Sequence, residues 1–229
     1  MNKYIVKGKL KVKPKYDYIL FDLDGTLSES APGIRKCIEL TLDKLQKPHP
    51  DLSDYSKFIG PPLADTFSHL CGLSQEDTLK ALSIYQDFYK IHGLKANKLY
   101  DGIEDLLREL SESNAKIAVC SSKQQKPADD VCELLGITKY FDAVCGSAPD
   151  GSRKEKEDVI PYTVNVLGGK ITDKVVMIGD TKFDAKGARL NNVDFIGVHY
   201  GYGTEETMRA EGATVFVNNT VELRERLFD

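Results

Sequence analysis

Tyr18-Ile-Leu-Phe-Asp22-Leu-Asp24-Gly-Thr26 decides the fold of this chain, because a short apolar run stops abruptly at two aspartates. A strand buried on both faces reads as such a run, and its end is where polar side chains can emerge. Asp22 and Asp24 are two residues apart, so in extended backbone their carboxylates point the same way. Gly25 lets the chain turn sharply after them, and Thr26 can support that turn. Similar runs recur at residues 117–120, 143–145, 175–178, 195–198 and 214–217. Helical spacing lies between them, at residues 103–110 with apolar positions 103, 106, 107 and 110, and again at 128–135 and 185–190. The alternation predicts an α/β protein, a Rossmann-like doubly wound parallel sheet with right-handed crossovers.

One segment breaks the alternation. From Pro32 to Leu94, helix-like stretches at 34–45, 62–70 and 75–90 follow one another with no strand-like run between them. The reading is a small all-helical insertion of residues 32–97, with hinges near 28–31 and 95–100. The core then comprises residues 16–31 and 98–229. A basic extension, residues 1–15, precedes it: six lysines and no acid there leave the rest of a chain of net charge −4 at −10. Tyr4 to Val12 alternates apolar residues with lysines around Lys7 and Gly8, as in an edge strand or hairpin with lysines facing water, or a weak anionic contact surface.

With 229 residues, 41% of them hydrophobic, the chain can bury one sizeable core and a smaller module. Its mild acidity argues against a nucleic acid polymer or an acidic membrane as partner. Five scattered cysteines with no CxxC pair argue for a reducing, cytoplasmic setting, and no apolar run is long enough for a signal peptide or a membrane span. The four histidines are isolated, which leaves zinc without support. A small partner is expected, met by a monomer or weak dimer.

Ligands of open α/β sheets bind beyond the carboxyl ends of the strands, and four such places here are polar. Asp22 and Asp24 follow the first run, Ser121 and Ser122 the second, Lys156 opens the helix after 143–145, and Asp180 and Asp184 follow 175–178. One carboxylate of the Asp22/Asp24 pair can accept a phosphoryl group while the other protonates the leaving alcohol and then activates water. Asp22, Asp180 and Asp184 would repel one another without a cation, and an oxygen-only set suits Mg2+. Ser121 can donate to a phosphate oxygen, and Lys156 supplies it with positive charge. Each piece alone has a plain structural explanation: a solvated Asp turn, an acidic loop, or a helix start within Arg153-Lys-Glu-Lys-Glu-Asp158. Their order, each at the end of an apolar run, is what points to chemistry.

The chain resembles the haloacid dehalogenase superfamily of phosphotransferases over residues 16–229. Asp22-Leu-Asp-Gly-Thr26 is similar to its first motif, Ser121 to its second, Lys156 to its third and Gly179-Asp-Thr-Lys-Phe-Asp184 to its fourth. The resemblance implies that Asp22 is the nucleophile and Asp24 the general acid/base, the latter also a metal ligand through its backbone carbonyl. Asp180 is implied as a metal ligand, Asp184 as a ligand or as the residue orienting the metal's water, and the helical insertion as a cap. The stretches 58–63, 99–103, 146–153 and 198–203 resemble the phosphoglycolate phosphatase-like group and its 5′-nucleotidase branch. The first fifteen residues have no counterpart in that pattern.

A dehalogenase has no need of Asp24 or of magnesium, and a non-catalytic binding module should have lost at least one motif residue. The expectation is therefore an Mg2+-dependent phosphatase working through an aspartyl-phosphate, with a phosphoglycolate phosphatase or a sugar phosphomutase as alternatives. Gly60-Pro61-Pro62 is the candidate specificity turn, and it bears no basic side chain. Phe58, Tyr85, Phe88, Tyr89 and Tyr100 suggest apolar surface for a nucleoside, which makes a nucleoside 5′-monophosphate the expected substrate.

Overall fold

The computed structural model describes residues 3–6 and 9–228, with side chains from residue 13 onward. β1 (Lys3–Val6) and β2 (Lys9–Val12) pair antiparallel. The turn expected at Lys7 and Gly8, and the direction of the lysines along both strands, lie outside the described residues.

β3 (Tyr18–Phe21) is followed by β4 (Ser28–Glu29), and a helical insertion separates β4 from β5 (Lys98–Leu99). The insertion contains α1 (Ala31–Leu45), α2 (Leu63–Asp65) and α3 (Gln75–Phe88). Pro32 stands in the first turn of α1, where its missing N–H costs nothing. Two of the expected helices are irregular: α2 passes into a π-helical turn at Thr66–Leu70, and α3 into another at Tyr89–Gly93.

Beyond the insertion come α4 (Ile103–Ser111), β6 (Lys116–Gln124), α5 (Gln125–Leu134), β7 (Ala143–Ser147), α6 (Lys156–Val166) and β8 (Val175–Gly179). The chain ends with α7 (Lys182–Leu190), β9 (Asp194–Val198), α8 (Glu205–Ala210), β10 (Phe216–Val217) and α9 (Thr220–Phe228). Six strands form one parallel sheet in the order β10-β9-β8-β3-β6-β7. β3 lies between β8 and β6, so Asp22 emerges near the middle of the sheet. Ile19 and Phe21 belong to one core layer with Ile103 and Leu107, whereas Leu20 joins Val159 and Ile160 in the other. Helices therefore cover both faces, as the unbroken apolar runs require.

β6 runs four residues past its apolar stretch, with an irregular register against β7 between Cys120 and Gln124. Ser121 and Ser122 consequently sit within a strand rather than after one, in the irregular stretch before pairing with β7 resumes at Gln124. At the junction with the insertion, β4 and β5 pair antiparallel, Ser28 opposite Leu99. The buried Asn97 side chain ties this junction: it accepts from Ser28 Oγ (2.9 Å) and donates to Gly93 O (3.0 Å) and Leu94 O (2.9 Å).

Candidate active site

Three carboxylates converge beyond the carboxyl ends of β3 and β8. Asp22, Asp180 and Asp184 are all buried, and one oxygen of each lies within 4.8 Å of the others. Lys156, the first residue of α6, reaches into this group: its Nζ lies 2.8 Å from Asp22 Oδ1, 2.6 Å from Asp184 Oδ1, and donates to Cys120 O at 2.8 Å. All three ammonium hydrogens are thereby engaged, and the side chain is 2% exposed. The solvated helix start that the surrounding charged run suggested is excluded.

Each acid is held by its own backbone and hydroxyl donors. Leu23 N–H donates to Asp22 Oδ1 (2.7 Å). Asp180 Oδ1 accepts from Thr26 Oγ1 (3.0 Å), and its Oδ2 from Tyr202 N–H (2.8 Å). Asp184 Oδ2 accepts from Thr181 N–H (3.1 Å) and Oγ1 (2.7 Å), in the reciprocal capping box that starts α7. Gly25 makes the approach of Asp180 possible: its φ is +87°, and a Cβ there would stand 2.2 Å from Asp180 Oδ2.

One ammonium among three buried carboxylates leaves the group short of positive charge. Burial pushes the Asp22 carboxyl up to about 6 despite the opposing pull of Lys156, with Asp184 adding to the rise. Burial, then Asp184 and Asp22, raise Asp180 well above the ordinary carboxylate range. Burial works against the charge of Lys156, yet Asp184 and Asp22 hold it above its usual value. A buried, oxygen-only donor set with excess negative charge fits a hard divalent cation.

Asp24 stands apart from the three-carboxylate group. Its Oδ2 pairs with Lys123 Nζ at 2.7 Å, so the two aspartates of the turn are held by different lysines. Ser121 is buried and its Oγ accepts weakly from Lys123 N–H (3.3 Å), while Ser122 is half-buried beside it. The Gly60 turn belongs to the insertion yet faces the end of β8: Thr181 and Phe183 side-chain atoms lie 3.1 Å from where a Gly60 Cβ would be. Pro61 and Pro62 are half-buried. Phe58, Tyr85 and Tyr89 are buried, and Tyr85 packs between Phe67 (6.0 Å between centroids) and Tyr89 (5.8 Å). These rings fill the insertion's own core rather than offering a bare wall.

Sequence reasoning missed Lys123 and Tyr202. Lys123 follows Ser121 and Ser122 on β6, and that place at the strand end was its only signal. Tyr202 links Asp180 to the insertion, since its hydroxyl accepts from Ser30 N–H (2.7 Å) and Ala31 N–H (3.0 Å). The Tyr-Gly-Tyr-Gly run at 200–203 marked it as a family resemblance but not as a site.

The haloacid dehalogenase-like hydrolase family model matches residues 19–198. The chain is 34% identical to a 5′-nucleotidase of Pseudomonas aeruginosa, over 93% of this chain and 96% of that protein. It is 33% identical to the tyrosine-protein kinase PtkA of Mycobacterium tuberculosis, over 91% of this chain and 72% of that protein. A phosphoglycolate phosphatase of Vibrio parahaemolyticus is 26% identical over 90% of this chain and 94% of its own. Among solved structures, a predicted phosphatase from Clostridium acetobutylicum superposes with a TM-score of 0.85 at 41% identity, covering 92% of this chain and 97% of its own. The chain belongs to the haloacid dehalogenase-like hydrolases and is a phosphoric monoester hydrolase.

Proposed function

We propose that this phosphatase hydrolyses a nucleoside 5′-monophosphate with Mg2+, through a phosphoryl group carried on Asp22. The observation that carries the mechanism is the convergence of Asp22, Asp180, Asp184 and Lys156 in one buried group. Asp22, Asp180 and the Asp24 carbonyl would hold the cation. Asp184 has one oxygen on Lys156 and the other on Thr181, which suits it to fixing Lys156 and the metal's water. Bound there, Mg2+ offsets the repulsion between the Asp22 carboxylate and the phosphate.

An Asp22 oxygen attacks phosphorus as the bond to the leaving oxygen breaks, and Asp24 gives that oxygen its proton. A water oxygen then attacks phosphorus, its proton goes to Asp24, and the Asp22–phosphorus bond breaks. Lys156 carries positive charge, and Ser121 and Ser122 carry hydroxyl donors, toward the phosphate oxygens. The helical insertion, residues 32–97, serves as a cap that covers the leaving group and excludes water. The protein works in the cytoplasm, where its five free cysteines stay reduced.

The name of the Pseudomonas relative and the Gly60 turn without a basic side chain support the nucleotide reading. Phosphoglycolate is the second reading, favoured by Lys123, a nearly buried cation against the insertion, and by the Vibrio relative. Phosphate release measured over nucleoside monophosphates, phosphoglycolate and sugar phosphates decides between them. Turnover of phosphoglycolate with kcat/KM at least about tenfold above every nucleotide, a difference of about 1.4 kcal/mol, overturns the nucleotide reading.

A further inference from the structure

The geometry points to Lys123 as a positioning residue that gives the two oxygens of Asp24 separate tasks, an inference that rests on the acid/base reading of Asp24 above. Asp24 Oδ2 lies 2.7 Å from Lys123 Nζ, with the two side chains 15% and 11% exposed. The other oxygen, Oδ1, is buried and has no hydrogen-bond partner. Turning this carboxylate over would break a partly buried ion pair, where such a break is costly. Oδ1 is therefore the oxygen that delivers the proton to the leaving oxygen while the leaving-group P–O bond breaks and the Asp22–phosphorus bond forms. It takes a proton back when water attacks phosphorus and the Asp22–phosphorus bond breaks.

Lys123 is itself held from the insertion. Its Nζ stands 4.7 Å from the centre of the Tyr89 ring, and the Tyr89 hydroxyl accepts from Asn97 Nδ2 at 3.3 Å. Asn97 is the residue that ties the β4/β5 junction. One line of contacts thus runs from the junction through Asn97, Tyr89 and Lys123 to the Asp24 carboxylate. The Tyr89 contact thus ties the position of Lys123 to the seating of the insertion, which links closure to proton delivery.

Single-turnover formation of the phosphoenzyme, on the full chain, tests this with two substrates: an alkyl phosphate, whose alcohol must be protonated, and 4-nitrophenyl phosphate, whose leaving group needs no proton. Lys123→Met should slow the alkyl ester by about tenfold or more beyond its effect on the aryl ester. In an Asp24→Asn background the same change should add less than about twofold, since Lys123 acts through Asp24. Lys123→Arg, which keeps the cation, should recover part of the loss. Equal losses on both esters, additive losses in the double variant, or a loss confined to substrates with a second anion overturn the inference; the last would make Lys123 a substrate anchor. If thermal melting shows Lys123→Met to be unfolded, Tyr89→Leu, which takes both ring and hydroxyl from Lys123, should give the same leaving-group signature and Tyr89→Phe, which keeps the ring but loses the hydroxyl link to Asn97, a smaller one; no leaving-group dependence in Tyr89→Leu overturns the inference. Asp24→Asn with no leaving-group dependence would remove the acid/base reading itself, whereas normal Asp24→Asn behaviour beside an indifferent Lys123→Met removes only the role of Lys123.

Discussion

Asp22 is held at one oxygen by Lys156 and Leu23 N–H, so replacing it by Asn keeps the shape of the site and removes the proposed nucleophile. Asp22→Asn should lose at least a thousandfold in phosphate release, about 4 kcal/mol of barrier, with a melting temperature equal to or above wild type. Retention of more than about a thousandth of the rate rules out the covalent route. The raised carboxyls also make a pH statement. Asp22, ordinarily at 3.8, is pushed to about 6, and Asp180 rises too, so the metal-free folded state holds extra protons between those values. Stability of the metal-free protein therefore falls as pH rises through that window, and a cation that replaces the protons stabilises more above it. The rise in melting temperature on adding Mg2+ should be larger at pH 8 than at pH 5; an equal rise at both would detach the metal from this cluster. Lys156 shows what sequence conveys at this scale. Its neighbours are charged and solvated, and only its place after an apolar run distinguished it. Lys123 had the same kind of place but no acid nearby in sequence, because its partner Asp24 is 99 residues away.

Elements were legible where a side-chain pattern repeats with the backbone, and less so where hydrogen bonding alone decides. The strands of the sheet centre were readable because Ile19, Leu20 and Phe21 are apolar toward both helical layers. The far end of β6 was not, since it carries no apolar signature and its pairing with β7 is interrupted after Cys120 and resumes only at Gln124. The start of α7 at Lys182 is set by the Thr181/Asp184 capping box, three residues before the apolar pattern begins at Ala185. The π-helical turns at 66–70 and 89–93 have no counterpart in a regular helical period. Asn97 was likewise hidden, as an amide that satisfies Gly93 O, Leu94 O and Ser28 Oγ at the β4/β5 junction. Asn97→Ala takes the amide from Ser28 Oγ and Gly93 O, while Leu94 O keeps the backbone N–H of residue 97, a loss of about 1 to 3 kcal/mol. Urea denaturation should show a lower midpoint; an unchanged midpoint would mean that water replaces the amide.

At the scale of the whole molecule, the sheet presents one set of buried acids, and under the proposed cap role the insertion decides when a substrate can reach them. No helix among the described residues is long and apolar enough to cross a membrane. The insertion approaches the core beside Asp180 where Gly60 meets Thr181 and Phe183, and the proposed cap role makes this the contact to test. Gly60 has φ +101°, so a side chain there carries backbone strain of about 1 to 2 kcal/mol whether or not the insertion is seated. A Cβ would also press on Thr181 and Phe183 at 3.1 Å, and that second cost arises only when the insertion lies on the core. Gly60→Ala should therefore lower kcat/KM by about tenfold, the equivalent of about 1.4 kcal/mol, by disfavouring the seated state. Adding Phe183→Ala removes part of the pressure but none of the backbone strain, so it should restore part of kcat/KM while leaving the loss of thermal stability in place. If Gly60→Ala keeps kcat/KM within about twofold of wild type on the best substrate, the seated contact is not needed for turnover. If both variants lose activity and stability in parallel, the effect is strain in the fold rather than closure over the site.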